Sequence, residues 1–383
     1  MRNMAEPLKN LLDAAAIEGM AHHLSRVCHP FDADAFRRRA GDGFDGLAFK
    51  ARAMQLADAL QETLPSDFAA AADALEAALA PADDGDFDEP AGMRSDARGL
   101  AGWPVWAMAE HVARHGQQQP ERALQALHAM TQRFTAEFAI RPFIDRHPAL
   151  VFDTLARWTR DRSAHVRRLV SEGSRPRLPW GVQLRSLVRD PSPTRPLLEA
   201  LQDDRSAYVR RSVANHLNDI AKDHPQQVAA WLHRHLPDAP EPRRALLRHA
   251  SRTLVKQGDA AVLAAWGLGQ PLQGRALLRI EPASIRLGEA VTLCLTLVSG
   301  ASRPQTLQVD YAVHHVKANG SSSPKVFKGW RLELAAHESR AMVRRHAVRP
   351  ISTRTYHPGW HRVVVQVNGV AVAEAGFELA GPF

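Results

Sequence analysis

Two stretches of this chain repeat one another in register: DRSAHVRRLVSEG from Asp161 and DRSAYVRRSVANHL from Asp204, 43 residues on. A period of that length belongs to HEAT-like helix pairs. A weaker third copy, PRRALLRHAS from Pro242, brings two arginines to the same point 33 residues later. A helix pair cannot bury its apolar face alone, so such units stack, and equal positions fall on one side of the array. Arg167/Arg168, Arg210/Arg211 and Arg243/Arg244 are therefore expected to form one basic stripe suited to a polyanion.

Around the repeat, the chain from Leu11 to about Ala265 reads as helix after helix. Asp34 is the expected N-cap before AFRRRA, and Phe49, Ala53, Leu56 and Leu60 make one apolar stripe. GDGFDG at 41–46 has the glycine spacing of a dinucleotide loop, but arginines rather than a strand precede it, which makes it a helix connection. The acidic run PADDGDFDEPAG at 81–92 lacks periodicity and is expected to be an exposed connection. After Gln270 apolar and polar residues alternate between turn residues, giving about seven short strands, the pattern of an immunoglobulin-like sandwich. The expected architecture is mainly α with an added all-β domain: a HEAT-like helical-repeat solenoid over 1–268, then an immunoglobulin-like β-sandwich over 269–383.

Charge follows the same division. Residues 1–150 hold 15 basic against 22 acidic residues, 151–260 hold 20 against 12, and 261–383 hold 14 against 7, within an overall +8. An acidic first part and basic remainder fit a protein that lays one surface on nucleic acid. Lys325, Lys328, Arg344, Arg345 and Arg354 of the sandwich either extend that surface or form a solvated face. Cys28 and Cys294 are expected to be two buried free thiols, with no disulfide framework. With no apolar stretch long enough to span a bilayer and no signal-peptide pattern in MRNMAEPLKNLLDAAA, the expected location is the cytoplasm. GxxxxGK[ST], HExxH, GxSxG and EF-hand patterns do not occur, and the pairs His22/His23 and His314/His315 are sequence neighbours that face apart. Neither metal nor organic cofactor is expected.

The densest chemistry lies in SEGSRPRLPWG at 171–181. Glu172 ends the first repeat helix, Gly173 is the expected residue just past its end, and Arg175, Arg177 and Trp180 follow on a loop. The second copy has Asn215 where Glu172 stands, so the carboxylate is not a requirement of the repeat. The plainer reading is a surface Glu/Arg pair with Trp180 closing a core.

MAEPLKNLLDAAAIEGMAHHLSRVCHPFD, FTAEFAIRPFIDRHP and HVRRLVSEGSRPRLPWG resemble the AlkC branch of the AlkC/AlkD bacterial DNA alkylation repair glycosylases, across essentially the whole chain. These are HEAT-repeat enzymes, and some AlkC members carry a C-terminal immunoglobulin-like domain. The resemblance implies excision of cationic N3-methylated bases, 3-methyladenine foremost with 3-methylcytosine second, from double-stranded DNA that is gripped and bent.

Such a base already carries the charge that weakens its glycosidic bond, so the demand on the protein is negative charge near an oxocarbenium-like sugar and an aromatic face for the base. Glu137 and Glu172 are assigned as the acidic pair and Trp180 as the aromatic contact, although Glu137 also has the spacing of a helical ion pair with Arg141. Asp153 and Trp158 form a lower-ranked group. Arg141, Arg167, Arg168, Arg175, Arg177, Arg210, Arg211, Arg243 and Arg244 are the expected phosphate contacts. No lysine near these motifs is placed to form a Schiff base, so a monofunctional, monomeric enzyme without an obligate protein partner is expected. The rival is a non-catalytic HEAT scaffold binding nucleic acid or an acidic partner through the arginine stripe.

Overall fold

The computed structural model describes residues 11–82, 92–268, 270–351 and 354–381. Residues 83–91, the bulk of the acidic run, lie outside the described residues. The chain divides into two compact units, one of residues 1–223 with 240–250 and one of 224–239 with 251–383.

The first unit is helical. Helix Phe49–Thr63 buries Ala53, Leu56 and Leu60 as their spacing predicts, while the Phe49 ring rests 4.9 Å from that of Trp103. GDGFDG is the connection before it: Gly43 takes φ +62, Phe44 turns inward, and Arg52 donates to the carbonyls of Asp45 and Leu47 at 3.0 and 3.2 Å. Helix Ala33–Gly41 is capped by Asp32 and not by Asp34. Asp32 keeps extended backbone, so its carboxylate reaches the amides of Asp34 and Ala35 at 3.1 and 2.9 Å, and Asp34 falls inside the first turn.

The repeated motif builds three arginine helices, Ala164–Gly173, Ala207–Ile220 and Glu241–Ala250. In the first two, the motif's aspartate accepts from the amide two residues on, Asp161 from Ser163 and Asp204 from Ser206, both at 2.8 Å, which sets the turn. The first arginine then closes that turn. Arg167 donates to the carbonyls of Asp161 and Arg162 at 2.8 Å, and Arg210 repeats the contact with Asp204 and Arg205, the latter at 2.9 Å. Arg167 also grips the next repeat, its Nε 2.6 Å from Asp204 Oδ2 and its Nη2 3.0 Å from Oδ1.

The first arginine of the first two copies is therefore a turn clamp, and the six do not form one phosphate-facing stripe. Arg167 is 5% exposed, Arg210 is half-buried on its carbonyls, and Arg243 pairs with Asp203. Arg211 stays exposed and Arg244 half-buried, whereas Arg168 turns into the site described below.

In the second unit, helices Pro225–His235, Arg252–Gln257 and Ala260–Ala265 cluster with a β-sandwich. The expected domain border at 268/269 falls within this unit, and Gly269 itself is outside the described residues. The strands are β1 (Gly274–Glu281), β2 (Ser284–Arg286), β3 (Ala290–Ser299), β4 (Gln305–Val316), β5 (Ser322–Leu334), β6 (Ser339–Ala347), β7 (Gly359–Val367) and β8 (Val370–Ala380). They form one sheet ordered β1-β3-β6 and one ordered β2-β8-β7-β4-β5. The strand beyond the expected seven is β2, three residues long and parallel to β8, too short to show as alternation in sequence.

Alternation fixes the faces. Val291, Leu293, Leu295 and Leu297 of β3 point inward against Val363, Val365, Phe377 and Leu379 of the other sheet. Cys294 therefore lies on the outward face and is only half-buried, unlike Cys28, because it occupies the odd step of that pattern. His315, His346 and His361 are buried in the sandwich as well. Where the β7–β8 turn meets the end of helix Arg252–Gln257, a Cβ on Gly369 would stand 2.6 Å from Gly258 Cα, so two glycines with φ of +80 and +75 are needed there.

Candidate active site

Three elements of the helical unit converge on one set of charges. On the first arginine helix, Arg168 and Glu172 are one turn apart and share a face. On the second, Tyr208, Ser212, His216 and Asp219 make a stripe towards them. Thr135 and Glu137 come from the stretch before helix Arg141–Arg146.

Glu172, 6% exposed, is the best-held carboxylate: Oε1 receives Arg175 Nη1 at 2.6 Å and has Arg168 Nη2 at 3.6 Å, and Oε2 receives the Ser212 hydroxyl at 2.6 Å. Burial alone would raise its pKa; the charges of Arg168 and Arg175 and the Ser212 hydrogen bond outweigh it and hold the group below the ordinary carboxylate range. Glu137 Oε2 accepts from Arg168 Nη1 at 2.7 Å and from the Thr135 hydroxyl at 2.6 Å. Among the described residues, no hydrogen bond reaches its other oxygen, Oε1. Arg175 Nε continues to Asp219 Oδ2 at 2.8 Å, and Lys222 meets Asp219 Oδ1 at 2.9 Å. The result is an alternating ladder of acid and base, with Glu137, Glu172 and Asp219 all buried.

Sequence reasoning named four members of this ladder and missed Asp219 and Lys222, together with the Ser212 hydroxyl that holds Glu172. Asp219 sits in the tail LNDI of the second repeat helix, beyond the segment the repeat alignment compared, and its role depends on Arg175 reaching across from the preceding repeat. Ser212 is the closer miss: the offset of 43 aligns it with Leu169, and a polar residue in that apolar place was a readable signal.

The loop after Glu172 is tied down at its base by hydrogen bonds and packing. Gly173 is the last helical residue, not a left-handed residue beyond the end, and Ser174 caps it. The glycine is required by packing: a Cβ there would lie 2.6 Å from Ile140 Cγ2. Arg141, 1% exposed, donates to the carbonyls of Val182, Gly173 and Arg175 at 2.7, 2.8 and 2.8 Å and thus staples the loop. It is neither a phosphate contact nor the partner of Glu137, because helix begins only at Arg141 and the guanidinium runs the other way. Arg175 and Arg167 are likewise consumed by buried ion pairs, and Arg177 is held bidentately by Asp223 at 2.7 Å.

Trp180 crowns this loop at φ +65, a conformation costly for a large side chain, and the residue is 62% exposed. Beside it opens a cavity of about 410 Å3 lined by Trp106, Phe138, Met54 and Pro142 among others. It caps no core. Asp153 and Trp158 are not brought together: five residues apart on helix Pro148–Trp158, about 140° around its axis, Asp153 is exposed and Trp158 packs at 5.2 Å on His128.

Residues 275–381 match the family model described as "Uncharacterised protein YhaZ, C-terminal Ig-like domain". The chain is 32% identical over 375 residues to the protein of Bacillus subtilis (strain 168) called "Uncharacterized protein YhaZ", covering 97% of this chain and 99% of that one. It superposes with a TM-score of 0.87, at 34% identity, on the Pseudomonas fluorescens alkylpurine DNA glycosylase AlkC bound to DNA containing an abasic site analog, covering 98% of this chain and all of that one. The chain belongs to the AlkC-type family of bacterial DNA alkylation repair glycosylases, a helical-repeat array followed by an immunoglobulin-like domain.

Proposed function

We propose that this protein is a monofunctional glycosylase that hydrolyses the bond between deoxyribose and a cationic N3-alkylated base, 3-methyladenine foremost and 3-methylcytosine second, in double-stranded DNA. The observation that carries this reading is the convergence of Glu137 and Glu172 on Arg168, with one oxygen of Glu137 left without a partner among the described residues.

As the glycosidic bond breaks, its electron pair leaves with the base, which becomes neutral, and the sugar takes on the positive charge. Glu172, kept ionised by its arginines, supplies negative potential in a largely dehydrated setting, where it acts more strongly than in water. Glu137 Oε1 is free to orient a water for attack at the anomeric carbon and to receive its proton. The Trp180 indole offers a face for a cationic base or an exposed base step. Arg211 and Arg244 remain to meet phosphates; Arg141, Arg167 and Arg175 serve the scaffold that holds the acids. The family relative's complex with DNA supports DNA as the partner. A monomer working in the cytoplasm completes the reading.

The scaffold alternative loses its main support, since a stripe built partly of turn clamps is a weaker polyanion surface than six free guanidiniums. The test is chromatography of bases released from methylated duplex DNA, with strand integrity followed in parallel. Free 3-methyladenine with intact strands is expected; release with strand scission would overturn the monofunctional assignment, and absence of release the glycosylase.

A further inference from the structure

The two DRSA helices differ at one aromatic position. His165 stands there in the first, and Tyr208 in the second, between otherwise identical DRSA and VRR segments. The Tyr208 ring lies under the Arg168 guanidinium, whose carbon is 5.0 Å from the ring centroid. Among the described residues, Arg168 is the one cation paired with both proposed acids, at 2.7 Å from Glu137 and 3.6 Å from Glu172. His165 meets the Tyr208 ring edge-on at 5.6 Å. Burial above all, with the charge and hydrogen bond of Arg168 opposing and the nearby Glu137 and Glu172 adding, pushes the phenol well above its ordinary range, so it exchanges no proton near neutral pH.

A guanidinium in that place is pulled two ways when a lesion arrives. Duplex phosphates attract it outward, and a cationic base repels it. If it left, Glu137 and Glu172 would face each other without their common counter-charge. Thr135 offers one hydroxyl, at 3.1 Å, to hold it; the broad attractive surface beneath it is the aromatic face.

Building on the glycosylase reading, we propose that Tyr208 is a positioning residue whose ring face holds Arg168 between Glu137 and Glu172 while cationic substrate is bound. The ring acts and the hydroxyl is dispensable. That separates this role from proton transfer by the phenol.

The experiment compares single-turnover base release and duplex affinity for the full chain as wild type, Tyr208→Phe and Tyr208→Leu. Expected are release by Tyr208→Phe within about threefold of wild type and a fall of about tenfold or more for Tyr208→Leu, with affinity unchanged within about twofold. Should Tyr208→Leu fail to fold, Tyr208→His retains a ring and should fall between wild type and that loss; a wild-type rate for a folded Tyr208→Leu, or equal losses in Phe and Leu, would overturn the role alone. A loss of affinity matching the loss of rate would overturn it too. If wild type itself releases no base, the glycosylase reading falls and this role with it.

Discussion

Arg167 and Asp204 form a bidentate ion pair across consecutive repeats, with Nε 2.6 Å from Oδ2, while the same guanidinium closes the turn that begins its own repeat. Both partners are almost fully buried. Removing the cation leaves a buried carboxylate unpaired, a change that ordinarily costs about 3–5 kcal/mol. Arg167→Met is expected to lower the urea midpoint of unfolding strongly. Arg211→Ala, at an exposed position, should leave that midpoint in place, weaken binding to every duplex sequence, and flatten the salt dependence of binding by about one unit of slope. An Arg211 variant with an unchanged salt slope would place this face away from DNA.

Trp180 combines positive φ with an exposed indole, so stability and function should part company there. Trp180→Gly relieves backbone strain of about 1–3 kcal/mol at most and is expected to raise the unfolding midpoint slightly. The same change removes a stacking face, which for one base is worth about 1–3 kcal/mol, and should slow base release by about tenfold or more. A Trp180→Gly protein that keeps wild-type release would remove the indole from the reaction.

The sandwich carries an acid-sensitive core. Burial first, then the charge of Arg354, pushes His315 down to about 3 and His346 to about 4. His361 and Lys325 also face both groups, and the Tyr311 hydroxyl contacts His346 Nδ1 at 3.1 Å. In the unfolded chain these histidines titrate near about 6.5. The folded pKa values are depressed, so the stabilising contribution is complete above about pH 6.5 and declines as the pH falls towards 4 and then 3, where only the unfolded chain gains protons. His111 and His216 of the helical unit, pushed by burial to about 3 and about 4, act with the same sign. Calorimetry from pH 7 to pH 5 should show falling transition temperatures, with a shallower fall in His346→Gln; transitions independent of pH would contradict the assignment.

The periods in the sequence carried the fold, and the details they missed share a cause. A repeat of 43 residues and an alternation of two report which faces are buried, and they placed the helices around Arg168 and the strand Ala290–Ser299. They do not report where an arginine's hydrogen bonds end. Arg167, Arg168 and Arg211 look alike in sequence, yet one closes a turn, one joins two acids and one faces solvent, because each points along a different direction from its helix. Glu137 and Glu172 were legible as chemistry standing outside the repeat's needs. Asp219 was not, since its part is set by Arg175 reaching it from 44 residues away.

The most direct measurement is release of 3-methyladenine from methylated duplex DNA by wild type, Glu137→Gln and Glu172→Gln, with duplex affinity measured on the same proteins. Loss of a charge that stabilises the forming oxocarbenium is worth about 100-fold or more in rate. Wild-type release that falls by about that factor in either variant, with DNA binding retained, is the expected result. Release that persists unchanged in both would contradict a carboxylate mechanism at this site.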